Sequence, residues 1–326
     1  MMHIIVGLPS RLVLAVGLII AVAGNASAAD KIRISVTNFN MSFLPSGLAL
    51  KRGFFKEEGL EAEVIRMNAN VAIAALAGGD VDYTMVFGSV VRAAIRGLPV
   101  KVVASFIDGS THALIARPEF KSVKELKGRT MGVQAFGATD HVAALMMLKH
   151  FGVDPEKDVK TVALGSAAAR VAALKEGIVD VAVIAPPADE EAKKLGFSVL
   201  SRAYEVFNFP FVGLGTQVKK IQERPDEVKR TLKALIKANR FLRGNREASI
   251  EILTEWGRTE RELAAAAYDS SVKVFNMDGS IPEDGLRIVV EQAKKDGKVT
   301  RDVPLSEVSD LMPLREAQKE LGVKGR

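Results

Sequence analysis

The chain has 326 residues, 48% hydrophobic and 26% charged, with 45 Lys and Arg against 39 Asp and Glu for a net charge of +6. It contains no cysteine, which excludes disulfides, thiol catalysis, cysteine–zinc sites and iron–sulfur clusters. The basic residues lie in segments that also carry acids, with no basic stripe interleaved with aromatics, so nucleic acid is not an expected partner.

Residues 1–28 read as a secretory signal peptide. Arg11 supplies positive charge, residues 12–23 (LVLAVGLIIAVA) form the apolar run, and Ala26 and Ala28 are the small residues before a cut after Ala28. The run is shorter than the roughly 20 residues that span a bilayer, which argues against a membrane anchor. No cysteine follows it, so a lipid anchor is excluded. Removing 28 of the 326 residues leaves 298, enough for about two domains. No second long apolar run follows, so a soluble periplasmic protein is expected.

From residue 30 onward, strands and helices alternate. Residues 32–36 (IRISV) alternate apolar and polar, the period of a strand, and run into a polar loop over 37–42. A helix is predicted over 45–55, a strand over 60–65, a short helix over 70–77, a strand over 82–86, a helix over 89–96 and a strand over 100–106. The order then restarts: strand 113–116, helical turn 123–126, strand 129–133, helix 139–151, strand 159–164, helix 167–175, strand 180–184, helix 187–195 and strand 197–200. Each run predicts a mostly parallel sheet with helices on both faces, an α/β class. From about residue 218 only helical patterns remain, over 224–243, 247–256, 261–275, 282–295 and 308–321. Helices without strands build no third sheet, so these are expected to pack on one of the first two.

The two runs share a repeat. AALAGGDVDYTM (residues 74–85) aligns with AALKEGIVDVAV (172–183), matching at Ala74/Ala172, Ala75/Ala173, Leu76/Leu174, Gly79/Gly177, Val81/Val179 and Asp82/Asp180. Each copy ends a helix at a glycine, where a left-handed cap favours Gly, and opens a strand behind an aspartate. Two such lobes facing each other would enclose one cleft at their strand ends, where open α/β sheets bind ligands.

Five segments, two of them within the repeat, carry a family likeness: KRGFFKEEGL (51–60), ALAGGDVD (75–82), RGLPVKVV (96–103), LKGRTMGV (126–133) and ALKEGIVD (173–180). In this order they resemble the periplasmic substrate-binding proteins of ABC importers, in the nitrate/taurine/alkanesulfonate and thiamin-pyrimidine-precursor group. The resemblance implies a type II periplasmic-binding fold: two α/β lobes joined by two crossovers, a ligand cleft between them, and C-terminal helices on lobe one. Lobe one would comprise residues 29–112 plus 216–326, and lobe two 113–215. It further implies a monomer that captures a small-molecule ligand without a cofactor or metal and delivers it to an ABC permease in the inner membrane.

Helix starts at the strand ends suit an anion, since their unpaired N–H groups carry partial positive charge. Ser89, after Phe87 and Gly88, and Thr139, after Phe136, Gly137 and Ala138, are candidate N-caps that face ligand or merely cap. Asn70 precedes another helix, and Ser42 or Ser46 starts the first. Phe39, Asn40 and Phe43 lie in the first loop; the phenylalanines either line a pocket or fill core. Pro186, with Pro187, shapes a cleft edge or starts a helix. Asn208 and Phe211 lie near the second crossover. His112 and His141 either meet a ligand carboxylate or pack; Asp108 and Asp140 either select an amine or are ordinary charges. Arg66 and Arg170 are the nearest candidate anion clamps. The ligand expected is a small organic or inorganic anion, a sulfonate, carboxylate or similar, and the resemblance leaves a pyrimidine precursor open as the alternative.

Two other readings stand beside transport. One is an enzyme like the thiamin-pyrimidine synthase of the same fold group, whose cysteine-rich iron motif has no counterpart in this chain. The other is a sensory binding protein, which sequence does not separate from a transport one. No G-x-S-x-G elbow is present.

Overall fold

The structure is a computed structural model describing residues 29–325; the expected signal peptide and its cut after Ala28 lie outside the described residues. Strands β1 (Asp30–Val36), β2 (Leu60–Arg66), β3 (Tyr83–Thr84) and β4 (Val100–Ile107) belong to a first sheet, and β5 (Ala113–Ala116), β6 (Arg129–Val133), β7 (Val159–Ala163), β8 (Val181–Ile184) and β9 (Ser198–Arg202) form a second. A tenth strand, β10 (Val212–Gln217), returns to the first. The strand orders are β2-β1-β3-β10-β4 and β7-β6-β8-β5-β9. In each, a parallel trio at one edge is followed by an antiparallel strand, β10 or β5, that has just crossed from the other sheet. The chain therefore exchanges one strand between the lobes, by way of residues 108–112 and 203–211.

Strand β10 departs from the sequence expectation, which showed no strand there and ended lobe two at residue 215. Its pairing with β3 and β4 assigns Val212 onward to the first sheet. Two glycines on one face hid it. A Cβ on Gly215 would stand 2.5 Å from Val90 Cγ2, and one on Gly213 would stand 2.7 Å from Phe87 Cδ2. The helix Phe87–Ile95 lies directly on this strand, and glycine in a strand marks such close approach.

The repeat performs the same task in both lobes. Gly79 and Gly177 take φ of +84° and +68°, values that disfavour a side chain. Asp82 Oδ2 accepts a hydrogen bond of 2.7 Å from Arg33 N, and its own N–H donates to Arg33 O at 2.9 Å. Asp180 does the same with Thr130, at 2.9 Å for each bond. Each aspartate thus locks the start of its strand to the neighbouring parallel strand, β1 or β6, and sets the register.

Alternation puts core on both faces of the second sheet. Leu114, Ala116, Val181 and Val183 belong to one cluster, and Ala113, Ile115, Ala182 and Ile184 to another. The C-terminal helices pack on the first lobe, as expected. Helix Pro225–Gly244 buries Val228, Leu232, Leu235, Ile236 and Leu242 along one stripe. Its Asn239 Nδ2 donates to Phe106 O at 2.8 Å, tying the helix to β4. The helix expected over 308–321 is broken: Ser309 bridges to Val102, and the chain resumes as Met312–Glu320. Among the described residues no helix is long and apolar enough to cross a membrane.

Candidate functional site

A cleft of about 570 Å³ opens between the sheets. Its walls are the loops at the carboxyl ends of parallel strands. Thr37 to Ser42 follow β1, Arg66 ends β2, Gln134 follows β6, and Ala185 follows β8. These ends gather there because all the parallel strands of one sheet start from its far edge. The crossovers contribute His112, Phe211 and Val212.

Lobe one supplies an aromatic wall. Phe39 meets Trp256 at 4.5 Å between ring centroids, tilted by 57°. A Cβ on Gly47 would stand 2.7 Å from Trp256 Cδ2, so glycine there lets the indole lie flat on the first helix. Trp256 Nε1 is buried without a hydrogen-bond partner among the described residues. The next two residues, Gly257 and Arg258, also line the cleft, and Arg258 adopts the left-handed region at φ +48°. Asn40 Oδ1 accepts from Ser42 N at 3.1 Å, shaping the turn Met41–Phe43 that leads into helix Leu44–Lys51. Ser42 Oγ in turn meets Thr111 Oγ1 at 2.6 Å, fastening this loop to the first crossover.

Lobe two supplies one face of helix Ala167–Lys175 (Ala167, Ala168, Val171, Ala172 and Lys175), along with Gln134, Thr139 and Pro187. The peptide between Pro186 and Pro187 is cis. Beneath this wall Asp140 Oδ2 accepts from Gln134 N at 2.5 Å and lies 3.4 Å from Arg170 Nη1, which also donates to Gly165 O at 2.7 Å. Burial pushes the Asp140 carboxyl up and the Arg170 guanidinium down, each against the attraction of the other. Arg66, Lys175 and Arg258 are exposed at the rim beside one acid, Glu191.

The expected site residues divide into two groups. Phe39, Asn40, Ser42, Phe43 and Thr139 line the cleft, as do His112, Arg66, Arg170 and Phe211. The rest lie elsewhere. Asn70 is exposed, one residue inside helix Ala69–Gly78, which Asn68 caps. Phe87 is fully buried core. Ser89 is not an N-cap: its helix starts at Phe87, and its Oγ accepts from Arg92 Nη2 at 2.8 Å. Thr139 is the first helical residue, so Ala138 holds the cap position without a side-chain bond. Gly88 borders a small apolar gap beside Thr139, and Phe136 is 60% exposed, edge-on to His141. Gly137 O accepts from Arg92 Nη2 at 2.7 Å, a bond between the lobes. Pro186 is buried while Pro187 reaches the cleft. Asn208 lines a separate hollow with Tyr204 and Lys273.

Trp256, Arg258, Gln134 and the Ala167–Lys175 face were not expected. Trp256 is about two hundred residues from Phe39 in the chain, and only the packing of the C-terminal helices brings them together. A signal was present in Trp256-Gly257, the sole tryptophan at the end of a helix.

His112 is the buried titratable group of the cleft floor. Burial pushes its pKa down to about 3, aided by the nearby Arg170 charge. The neutral ring meets Ser110 Oγ at 3.1 Å and stands edge-on to Phe211. The folded pKa lies below the ordinary value, so this contribution is complete above about pH 6.5 and is lost as pH falls toward 3. Acidification from pH 7.5 to 4.5 is expected to cost about 3 kcal/mol through this group. Urea unfolding across that range should show a flatter pH slope for His112→Gln; an unchanged slope would refute the assignment.

YtlA of Bacillus subtilis (strain 168), named as a binding protein, is 21% identical over 290 residues, covering 85% of this chain and 87% of its own. A solved protein of Bordetella bronchiseptica RB50 superposes with a TM-score of 0.77 at 22% identity, covering 90% of this chain and 98% of that one. The periplasmic aliphatic sulphonate binding protein SsuA of Escherichia coli superposes with a TM-score of 0.73 at 17% identity, covering 85% and 96%. The first sheet, the crossovers, lobe two and the long helix Pro225–Gly244 fall within or overlap residues 40–249, which match the NMT1/THI5-like family model, and the chain belongs to that family.

Proposed function

We propose that the protein is the extracytoplasmic solute-binding component of an ABC importer, that it holds a small organic anion between its lobes, and that it delivers that anion to a membrane permease. The observation that supports this reading most directly is the two-lobed cleft itself. It has an aromatic wall of Phe39 and Trp256, a basic rim of Arg66, Lys175 and Arg258 and, among the described residues, a single acid, Glu191. A volume of about 570 Å³ is in the range of small-molecule sites. The named functions of its relatives as binding proteins support it further. A hydrolytic reading finds little support. Ser110 is within 3.1 Å of His112, but it is wholly buried and does not line the cleft.

Trp256 is the sole tryptophan, so intrinsic fluorescence reports the cleft wall. Titration with aliphatic and aromatic carboxylates and sulfonates is expected to change that emission saturably for at least one class. The same ligand at 100 times its dissociation constant should stabilise the fold by about 2.7 kcal/mol in thermal unfolding. Saturable binding by neutral solutes only would overturn the anion assignment. A shift in unfolding with no change at Trp256 would place the ligand outside this cleft.

A further inference from the structure

Four cations reach the cleft, and they are not equivalent. Arg66, Lys175 and Arg258 are exposed at its rim, where water screens a charge and an ion pair contributes little. Arg170 is 2% exposed yet lines the cleft. Every hydrogen bond its side chain makes among the described residues leaves from Nη1, to Gly165 O and, at 3.4 Å, to Asp140 Oδ2. Its Nε is buried with no hydrogen-bond partner among the described residues, and so is Asp140 Oδ1. A buried ion pair with an idle donor on one side and an idle acceptor on the other is poorly compensated for its loss of water. An arginine held only by Nη1 keeps the rest of its planar fork for an oxyanion.

We infer that Arg170 is the specificity-determining residue of the cleft, donating to the anionic head group of the bound solute from lobe two while the apolar body of the solute lies against Phe39 and Trp256 of lobe one. This rests on the binding function proposed above and adds to it an orientation and a reader of charge. Asp140 holds the guanidinium in place and offsets part of its positive charge in the site. Gln134 and Thr139, on the same wall, are placed to satisfy the remaining oxygens.

The test compares anions with neutral isosteres of nearly the same shape: benzoate with benzamide, and ethanesulfonate with ethanesulfonamide, by calorimetry and Trp256 fluorescence. Wild type is expected to prefer the anion of a pair by about ten- to hundredfold, the size of a charged hydrogen bond. Arg170→Gln should bring that ratio close to one with little change for the amide. Arg170→Lys, which keeps the charge but not the fork, should fall between, and it carries the test if the Gln variant does not fold. A merely structural arginine would weaken anion and amide alike and leave the ratio unchanged, which overturns the assignment of Arg170 alone. Binding of none of the four probes by wild type would instead count against the cleft function on which it rests.

Discussion

Gly213→Ala is expected to destabilise the protein by about 3 kcal/mol or more, the upper range for overpacking a tight interior. A Cβ at this position would collide with the Ala104 carbonyl oxygen and stand 2.9 Å from Ser105 Cα and 2.7 Å from Phe87 Cδ2. The first two are backbone atoms of β4, which β10 pairs with across this point. They do not move without opening the sheet. The neighbouring register shift between Val212 and Gly213 already marks the crowding. The unfolding temperature should fall by roughly 5 °C or more. Because β10 brings the chain back from lobe two, the loss should appear first as weaker protection of β4 and β10 amides in hydrogen exchange. A variant that melts with wild type would show that the close approach is not real.

The second large effect is expected from Arg202→Met. Arg202, at the end of β9, holds two buried acids of helix Ala188–Lys194: Asp189, wholly buried, through Nη1, and Glu190 Oε1 through Nη2 at 2.8 Å. Removing one partner of a buried ion pair costs about 3–5 kcal/mol, because the other charge stays buried without compensation. Here Asp189 would lose its one ion-pair partner among the described residues, while Glu190 would keep Lys193 Nζ at 3.5 Å. Burial pushes Asp189 up to about 6 even with Arg202 in place. A carboxyl raised in the folded state contributes stability that is complete below its ordinary value and lost as pH rises through about 6. The Arg202→Met variant should therefore be much weaker than wild type at pH 7.5 and recover in part at pH 5, where Asp189 takes up a proton. Adding Asp189→Asn should restore stability at pH 7.5 and remove that recovery. Pro187, Ala188 and Glu191 border the cleft, so a loosened helix should also weaken ligand binding. Equal losses at both pH values would argue that Arg202 acts by packing alone.

Local chemistry made much of this molecule legible in advance. Alternation along Ile32–Val36 and the continuous apolar run Val181–Ile184 announced strands because a strand has period two or is buried on both faces. Gly79 and Gly177 announced helix ends because only glycine takes their φ at little cost. The repeat announced two like lobes, and the five segments announced the family. The place of the first loop was also readable: Phe39, Asn40, Ser42 and Phe43 follow a strand end, and all four line the cleft.

What tertiary structure alone decided depends on atoms far apart in the chain. The segment VGLGTQ carries two residues that break strands locally, and becomes one because helix Phe87–Ile95 and β4 leave no room for side chains there. Ser89 looks like a cap in sequence, yet Phe87 and Gly88 are already helical and Arg92 claims its hydroxyl. Trp256 and Arg258 enter the cleft because the C-terminal helices fold back on lobe one. Sequence offers Arg170 beside Arg66 as a candidate anion clamp and does not rank the two. Its meaning comes from burial beside Asp140 with a donor left over, and burial is a property of the packed molecule rather than of any stretch of chain.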